Sequence, residues 1–186
     1  MERENRVTED QKKFLKESIE VFPVKLTDSM VRQFLDYYEI LIEWNQVMNL
    51  TAIVDYQEVV KKHFVDSISL VSVMDLNHGQ KVIDIGTGAG FPGIPLKILF
   101  PELEVTLLDS LNKRIRFLNE VIDRLNLSGI ETIHGRAEDY ARRKEYREQF
   151  DLCVSRAVAN LSTLSEYCIP YVKRGGFFIS YKSGDI

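Results

Sequence analysis

One segment of the chain has residue types and spacing suited to binding a nucleotide-like ligand. An apolar run at 82–85 leads into a glycine-rich stretch at 86–93, in which Gly86, Gly88 and Gly90 alternate with other residues. Glycine allows positive φ and lets a ligand approach the backbone closely. A strand that enters such a turn and continues into a helix is typical of the ligand crevice of open parallel sheets. The stretch therefore predicts a cofactor site.

An acidic residue further along the chain belongs to the same predicted cofactor site. Asp109 ends the next apolar run, 23 residues after Gly86. An acid about 20 residues beyond a glycine turn commonly binds the hydroxyls of a ribose. We therefore expect Asp109 to hold the ribose of the cofactor.

The charge of Asp84 bears on which cofactor is bound. Asp84 lies two residues before Gly86, where a carboxylate would repel a pyrophosphate but attract a sulfonium and an ammonium group. The spacing is G-x-G-x-G, whereas the dinucleotide fingerprint is G-x-G-x-x-G. Both features favour S-adenosyl-L-methionine over NAD and make Asp84 a cofactor-binding candidate. The alternative is that Asp84 only caps the turn and the glycines only shape it.

Helical segments precede this turn. Apolar residues at helical spacing predict a short helix over 8–21 and a second helix that begins after the capping residues 27–29 and ends near 44–45. Residues 49–52 are expected to form a loop, and residues 55–73 to return to a helix. We interpret residues 1–77 as an N-terminal helical extension packed on a core of residues 78–186.

Strand and helix patterns alternate after residue 78. The predicted strands are 81–85, 104–108, 129–134, 150–155 and 176–181, and the predicted helices are 92–100, 113–127 and 161–171. Such alternation with short connections indicates an α/β fold with a mostly parallel, doubly wound, Rossmann-like sheet.

Composition excludes several classes of protein. The chain has 186 residues, 45% of them apolar, and a formal net charge of −4, which argues against a uniformly basic nucleic-acid-binding protein. There are two cysteines and three widely separated histidines, so neither a disulfide framework nor a metal site is expected. Without an apolar segment of membrane-spanning length, we expect a cytoplasmic protein that does not enter a membrane, and we expect a monomer.

The motifs together resemble the bacterial 16S rRNA (guanine-N7) methyltransferase G family, also called glucose-inhibited division protein B. The resemblance runs in order from about residue 44 to residue 184. Its most specific runs are Gly-Phe-Pro-Gly-Ile-Pro at 90–95 and Leu-Leu-Asp-Ser at 107–110. Further matching segments are 44–45, 49–52, 63, 66–67, 135–139 and 155–157.

The resemblance implies a Rossmann-like methyltransferase that transfers a methyl group from S-adenosyl-L-methionine to N7 of a guanine in the decoding-region loop of 16S rRNA. It implies that Gly86 and Phe91 line the cofactor pocket, that Ala137 and Glu138 meet the adenine, and that Arg156 lies near both cofactor and target. It also implies 16S rRNA or the small ribosomal subunit as the partner. The family fold closes with two further strands after the fifth, for which this sequence has no room, so we expect a truncated sheet.

Guanine N7 carries a lone pair and no proton, so no general acid or base is assigned and catalysis is expected to rest on positioning. Candidate contacts to the RNA are Asn49, Thr51, His63, Arg156 and Lys182. Arg156 is a candidate donor to guanine O6. Local capping, helix–loop hydrogen bonds or exposed tail positions are the alternatives for the other four. Other functions left open are a methyltransferase of another substrate class, an NAD-dependent oxidoreductase and a non-catalytic ribosome-assembly factor.

Overall fold

The computed structural model describes residues 8–76, 78–156 and 160–181. Five parallel strands form one sheet in the order β3-β2-β1-β4-β5. The strands are β1 (Lys81–Ile85), β2 (Glu104–Asp109), β3 (Ile130–His134), β4 (Phe150–Ser155) and β5 (Val172–Ser180). The Rossmann-like α/β fold predicted from the sequence is confirmed.

Helices precede the sheet and connect its strands. They are α1 (Glu9–Ile19), α2 (Asp28–Met48), α3 (Tyr56–Val59), α4 (Asp66–Ile68), α5 (Gly93–Leu99), α6 (Asn112–Arg124), α7 (Ala137–Tyr140) and α8 (Leu161–Cys168). A π-helical stretch, Val60–Val65, joins α3 to α4, and 3₁₀ turns follow α4 at Ser69–Ser72 and α8 at Ile169–Tyr171. In the ranges that the structure describes, no helix is both long and apolar enough to cross a membrane.

Alternation along the strands separates two apolar clusters. In β1, Val82 joins one cluster and Ile83 the other, because successive side chains of a strand point to opposite faces of the sheet. In β4, Leu152 and Cys153 divide in the same way. The larger cluster also contains buried side chains of α1 and α2, so these helices share a core with one face of the sheet.

The strand order reverses at β1. The chain builds β2 and β3 on one side of β1 and then returns to place β4 on the other side. Ligands of open α/β sheets bind where the order reverses, beyond the carboxyl ends of the strands. Gly86 follows β1 and Arg156 follows β4, so both lie at this point.

Candidate functional site

The glycine turn is held from below by Asp84. One oxygen of its carboxylate, Oδ2, accepts hydrogen bonds from Thr87 Oγ1 at 2.7 Å and from the amide of Gly93 at 2.9 Å. Gly86 and Gly88 have φ values of 69° and 63°, which residues that carry a side chain rarely adopt. A Cβ at Gly93 would lie 2.4 Å from Leu107 Cδ2, so only glycine lets α5 begin this close to β2. The turn therefore has one fixed shape.

The structure places Asp84 beneath the turn and not at the cavity surface, and its role toward a cofactor stays a prediction. Its side chain is fully buried beneath the turn and belongs to neither of the cavities described below. Burial raises the pKa of this carboxyl to about 6, although the bonds from Thr87 and Gly93 act in the opposite direction. Its second oxygen, Oδ1, has no hydrogen-bond partner among the described residues. Asp84 therefore supports the glycine turn through these two hydrogen bonds.

Asp109 ties the glycine turn to the end of β2. Its Oδ2 accepts from the amide of Gly88 at 3.0 Å and from Arg114 Nη1 at 3.2 Å, and its Oδ1 accepts from the amide of Leu111 at 2.9 Å. The carboxylate is nearly buried yet lines a cavity. A carboxylate has about four acceptor positions, so three donors leave room for a hydroxyl.

Two cavities meet above the carboxyl ends of the strands. The first, which we call the cap-side cavity, has a volume of about 470 Å³ and lies between the glycine turn and residues of the N-terminal helical segment. The second, the α7-side cavity, has a volume of about 360 Å³ and contains Ala137, Glu138 and Tyr167 in its wall. Gly86 and Ser110 line both cavities. The two cavities therefore adjoin at the glycine turn.

The far wall of the cap-side cavity is built by Thr51, His63 and Arg156. Arg156 donates through Nη1 to Asp66 Oδ2 at 3.1 Å and through Nη2 to His63 Nδ1 at 3.1 Å. His63 Nε2 lies 2.9 Å from Thr51 Oγ1. These contacts join the end of β4 to the N-terminal helical segment at the cavity.

Aromatic packing fixes the position of His63. Its ring stacks on Phe91 with centroids 4.6 Å apart and an interplanar angle of 19°, and the guanidinium of Arg156 lies 4.9 Å from the same Phe91 centroid. Burial, with a smaller effect from Arg156, lowers the pKa of His63 to about 4, so the ring is neutral near pH 7. His63 belongs to the π-helical stretch, a distortion found frequently at functional sites.

Most of the residues expected to bind a ligand do line a cavity. In the cap-side cavity these are Thr51, His63, Gly86, Gly88, Phe91, Asp109 and Arg156, and in the α7-side cavity they are Gly86, Ala137 and Glu138. Their assignments to cofactor or RNA remain predictions.

Gly90, Asn49 and Lys182 have other outcomes. Gly90 is buried, because Tyr37 and Ile94 pack against it from behind the turn. Asn49 is exposed and adopts a left-handed conformation, φ 49° and ψ 55°, that ends α2. Neither lines either of the two cavities, and their assignments to cofactor and RNA stay predictions. Lys182 lies outside the described residues.

Several cavity residues were missed from the sequence. Ser110 and Arg114 follow Asp109 closely, and this proximity to a predicted site residue was the available signal. Leu164 and Tyr167 come from α8, which returns to the α7-side cavity from far along the chain. No local pattern marks those two positions.

Comparison with known proteins identifies the family. The model of the family GidB, rRNA small subunit methyltransferase G, matches residues 30–185. The chain is 58% identical over 161 residues to the Ribosomal RNA small subunit methyltransferase G of Lachnoclostridium phytofermentans, covering 87% of this chain and 66% of that protein. It is 52% identical over 172 residues to the protein of the same name from Desulforamulus reducens, covering 92% and 72%. The chain thus spans roughly two thirds of the length of these relatives.

Solved structures confirm the fold at lower identity. A Methanococcus maripaludis protein, named as a candidate S-adenosyl-L-methionine-dependent methyltransferase, superposes with a TM-score of 0.56 at 18% identity over 77% of this chain and 61% of that one. A mutant of MtNAS in complex with S-adenosylmethionine gives a TM-score of 0.55 at 16% identity over 80% and 55%. The motifs, the fold and the close relatives agree: the chain belongs to the rRNA small subunit methyltransferase G family.

Proposed function

We propose that this chain forms the cofactor site and part of the target site of an enzyme that methylates N7 of a guanine in 16S rRNA, with S-adenosyl-L-methionine as the donor. Residues 78–186 are the methyltransferase core in this proposal, and residues 1–77 are a helical extension that covers the target side. The substrate is the decoding-region loop, presented as 16S rRNA or as a small-subunit particle. The site of action is then the bacterial cytoplasm.

The observation that carries the proposal is the shape of the site at the carboxyl ends of β1 and β2. A glycine turn and an acidic strand end face two adjoining cavities, which share Gly86 and Ser110 in their walls. A Cβ at Gly88 would meet nothing closer than Gly86 O at 4.0 Å, so the turn is open toward the cap-side cavity. Relatives more than 50% identical, named as rRNA methyltransferases, give the same function independently.

The residues present fit S-adenosyl-L-methionine. Asp109 would hold the ribose, and Ala137 and Glu138 would face the adenine from the start of α7, where helix amides lack intrahelical acceptors. The buried charge of Asp84 and the carboxylate of Asp109 favour a cationic ligand beside Gly86. When bound, the cofactor would supply an electrophilic methyl group on a sulfonium sulfur.

The chain's own contribution to the reaction would be positioning. Guanine N7 needs no base to become nucleophilic, so the protein has to hold it in line with the methyl group and exclude water. Arg156, Thr51 and His63 form the wall opposite the glycine turn and would orient the base. Methylation leaves a positive charge on the base, which the carboxylates of Asp84 and Asp109 would stabilise.

Labelled methyl transfer tests the proposal. The purified protein that carries this chain is incubated with radiolabelled S-adenosyl-L-methionine and small-subunit particles from a strain that lacks the enzyme, and the modified base is mapped. We expect label at N7 of one guanine in 16S rRNA. Label in protein or small-molecule extracts would support a methyltransferase of another class. Association with the particle without any transfer would support an assembly factor, and tight NAD binding would support an oxidoreductase.

A further inference from the structure

A chain of three side chains runs along the wall of the cap-side cavity. Arg156 Nη2 lies 3.1 Å from His63 Nδ1, and His63 Nε2 lies 2.9 Å from Thr51 Oγ1. Arg156 follows β4, His63 belongs to the π-helical stretch, and Thr51 lies in the loop between α2 and α3. All three residues line the cavity. The direction of these hydrogen bonds therefore decides whether the wall presents donors or acceptors to a ligand.

The direction follows from the guanidinium. A guanidinium can only donate, so His63 Nδ1 must accept from Arg156. The neutral ring then carries its proton on Nε2 and donates it to Thr51 Oγ1. In the opposite tautomer Nδ1 would donate to the Lys62 carbonyl at 3.2 Å, and the Arg156 Nη2 donor, 3.1 Å away, would then face a second donor and have no lone pair to bind. The contacts of Arg156 therefore select the Nε2–H tautomer.

Thr51 receives a second donor. The amide of Ile53 donates to Thr51 Oγ1 at 3.0 Å. With His63 and Ile53 both donating, the two lone pairs of the hydroxyl oxygen are filled. Within the described part of the chain the hydroxyl hydrogen has no acceptor, so Thr51 can act toward a ligand only as a donor.

We propose that Thr51 is a specificity-determining residue, whose hydroxyl donates to O6 of the guanine that is methylated and disfavours the amino group of an adenine. The major-groove edge of guanine presents two acceptors, N7 and O6, whereas adenine presents an acceptor and an amino donor. Arg156 and Thr51 together make a wall of donors, which complements guanine and opposes adenine. The inference rests on the proposed function and adds the residue that selects the base.

Base analogues at the target position test the inference. Small-subunit particles lacking the modification are reconstituted with 16S rRNA that carries guanine, inosine, 2-aminopurine or 2,6-diaminopurine at the mapped site. Inosine keeps O6, 2-aminopurine lacks it, and 2,6-diaminopurine replaces it with an amino group. For the unaltered protein we expect similar kcat/KM on guanine and inosine. We expect a loss of about tenfold on 2-aminopurine, because the Thr51 hydroxyl is left without an acceptor. The loss on 2,6-diaminopurine should be larger, because the hydroxyl then faces an amino donor.

Thr51→Val, which keeps the shape and removes the hydroxyl, completes the comparison. It should lose about tenfold on guanine and nothing further on 2-aminopurine, because the same hydrogen bond is already absent there. Thr51→Ser should restore guanine activity. His63→Phe keeps an aromatic ring on Phe91 but cannot orient Thr51, so it should reduce discrimination against 2,6-diaminopurine.

The outcomes separate the inference from the proposed function. Equal loss on guanine and 2-aminopurine in Thr51→Val, with unchanged affinity for S-adenosyl-L-methionine by calorimetry, would overturn the role of Thr51 alone. Failure of the unaltered protein to methylate any guanine of 16S rRNA would overturn the proposed function, and the inference with it.

Discussion

The carboxylate of Asp84 is buried, and one of its oxygens has no hydrogen-bond partner among the described residues. Its position near the carboxyl end of β1 was predictable, because the predicted strand 81–85 ends one residue after it. The sequence could not place the carboxylate beneath the turn, because that depends on Thr87 and Gly93 donating to it. Asp84, two residues before the first glycine, thus lies beneath the turn that it supports.

Burial of Asp84 predicts a specific dependence of stability on pH. Its pKa is about 6 in the folded chain against 3.8 ordinarily, so between about pH 4 and pH 6 the folded state retains a proton that the unfolded state has lost. Stability therefore falls as the pH rises through this window. Asp84→Asn, whose amide oxygen can still accept from Thr87 and Gly93, should gain stability over the unaltered protein as the pH rises, by up to ~3 kcal/mol above pH 6.

Urea unfolding of both proteins at a series of pH values between 4 and 8 measures this difference. Asp139→Asn, at an exposed position on α7, controls for the loss of one negative charge and should show no such trend. Parallel stability curves for Asp84→Asn and the unaltered protein would contradict the argument.

The carboxylate of Asp109 gives a second prediction at the scale of a residue. Asp109→Asn keeps the volume but loses an acceptor and the ion pair with Arg114. We expect affinity for S-adenosyl-L-methionine to fall by about 1–3 kcal/mol, because a ribose hydroxyl loses its partner. Calorimetry against Asp139→Asn measures the loss, and unchanged affinity in Asp109→Asn would remove this residue from the cofactor site.

Elements with strong apolar patterns were predictable from the sequence. The bounds of β1 and β4 agree with those predicted, because each is a short buried run between polar residues. Helix α7 was not predicted, because its four residues are too few to show a helical repeat of apolar positions. Strand β5 begins at Val172 rather than at residue 176, because it pairs with β4 through a register shift that draws polar residues into the sheet. The π-helical stretch was predicted as part of an ordinary helix, because the spacing of its apolar residues resembles that of an α-helix.

The glycine turn yields a prediction at the scale of an element. Gly90 has a φ of 94°, and a Cβ there would lie 2.5 Å from Ile94 Cδ1 and 2.7 Å from the Tyr37 hydroxyl. Gly79 has a similar φ of 73°, but no atom lies within 4 Å of a Cβ at that position. Gly79→Ala should therefore cost about 1–2 kcal/mol from backbone strain. Gly90→Ala should cost about 1–3 kcal/mol more, because overpacking is added.

Chemical denaturation of the two alanine variants gives both free energies of unfolding. Their difference isolates the contacts of the turn with Tyr37 of α2 and Ile94 of α5, because both substitutions remove a positive-φ glycine. Equal losses would mean that Tyr37 and Ile94 move aside without cost.

At the scale of the whole molecule, the N-terminal helices and the sheet share a core. The larger apolar cluster unites Leu15 and Phe34 of these helices with Leu107 of β2 and Val154 of β4. From the sequence we expected the helical extension to pack on the core, but the contacts could not be predicted, because periodicity describes each element's buried face and not its partner. The wall of the cap-side cavity depends on the same packing, since Arg156 and His63 are 93 positions apart.

A shared core predicts a single unfolding transition. Trp44 of α2, the one tryptophan of the chain, packs against Phe117 of α6 with ring centroids 5.8 Å apart. Its fluorescence reports contact between the helical segment and the core, while far-ultraviolet circular dichroism reports all elements. The two urea transitions should coincide. Earlier loss of the fluorescence signal would mean that the N-terminal helices unfold separately, and Trp44→Phe identifies the source of that signal.

The junction of the two cavities has a consequence for ligand length. Gly86 and Ser110, the residues common to both walls, are small, and the proposed cofactor would lie across this junction. A bulky replacement at the junction would close the passage while leaving each compartment intact. If the proposed cofactor lies across this junction, such a variant should bind adenosine and methionine as separate fragments but not the intact donor.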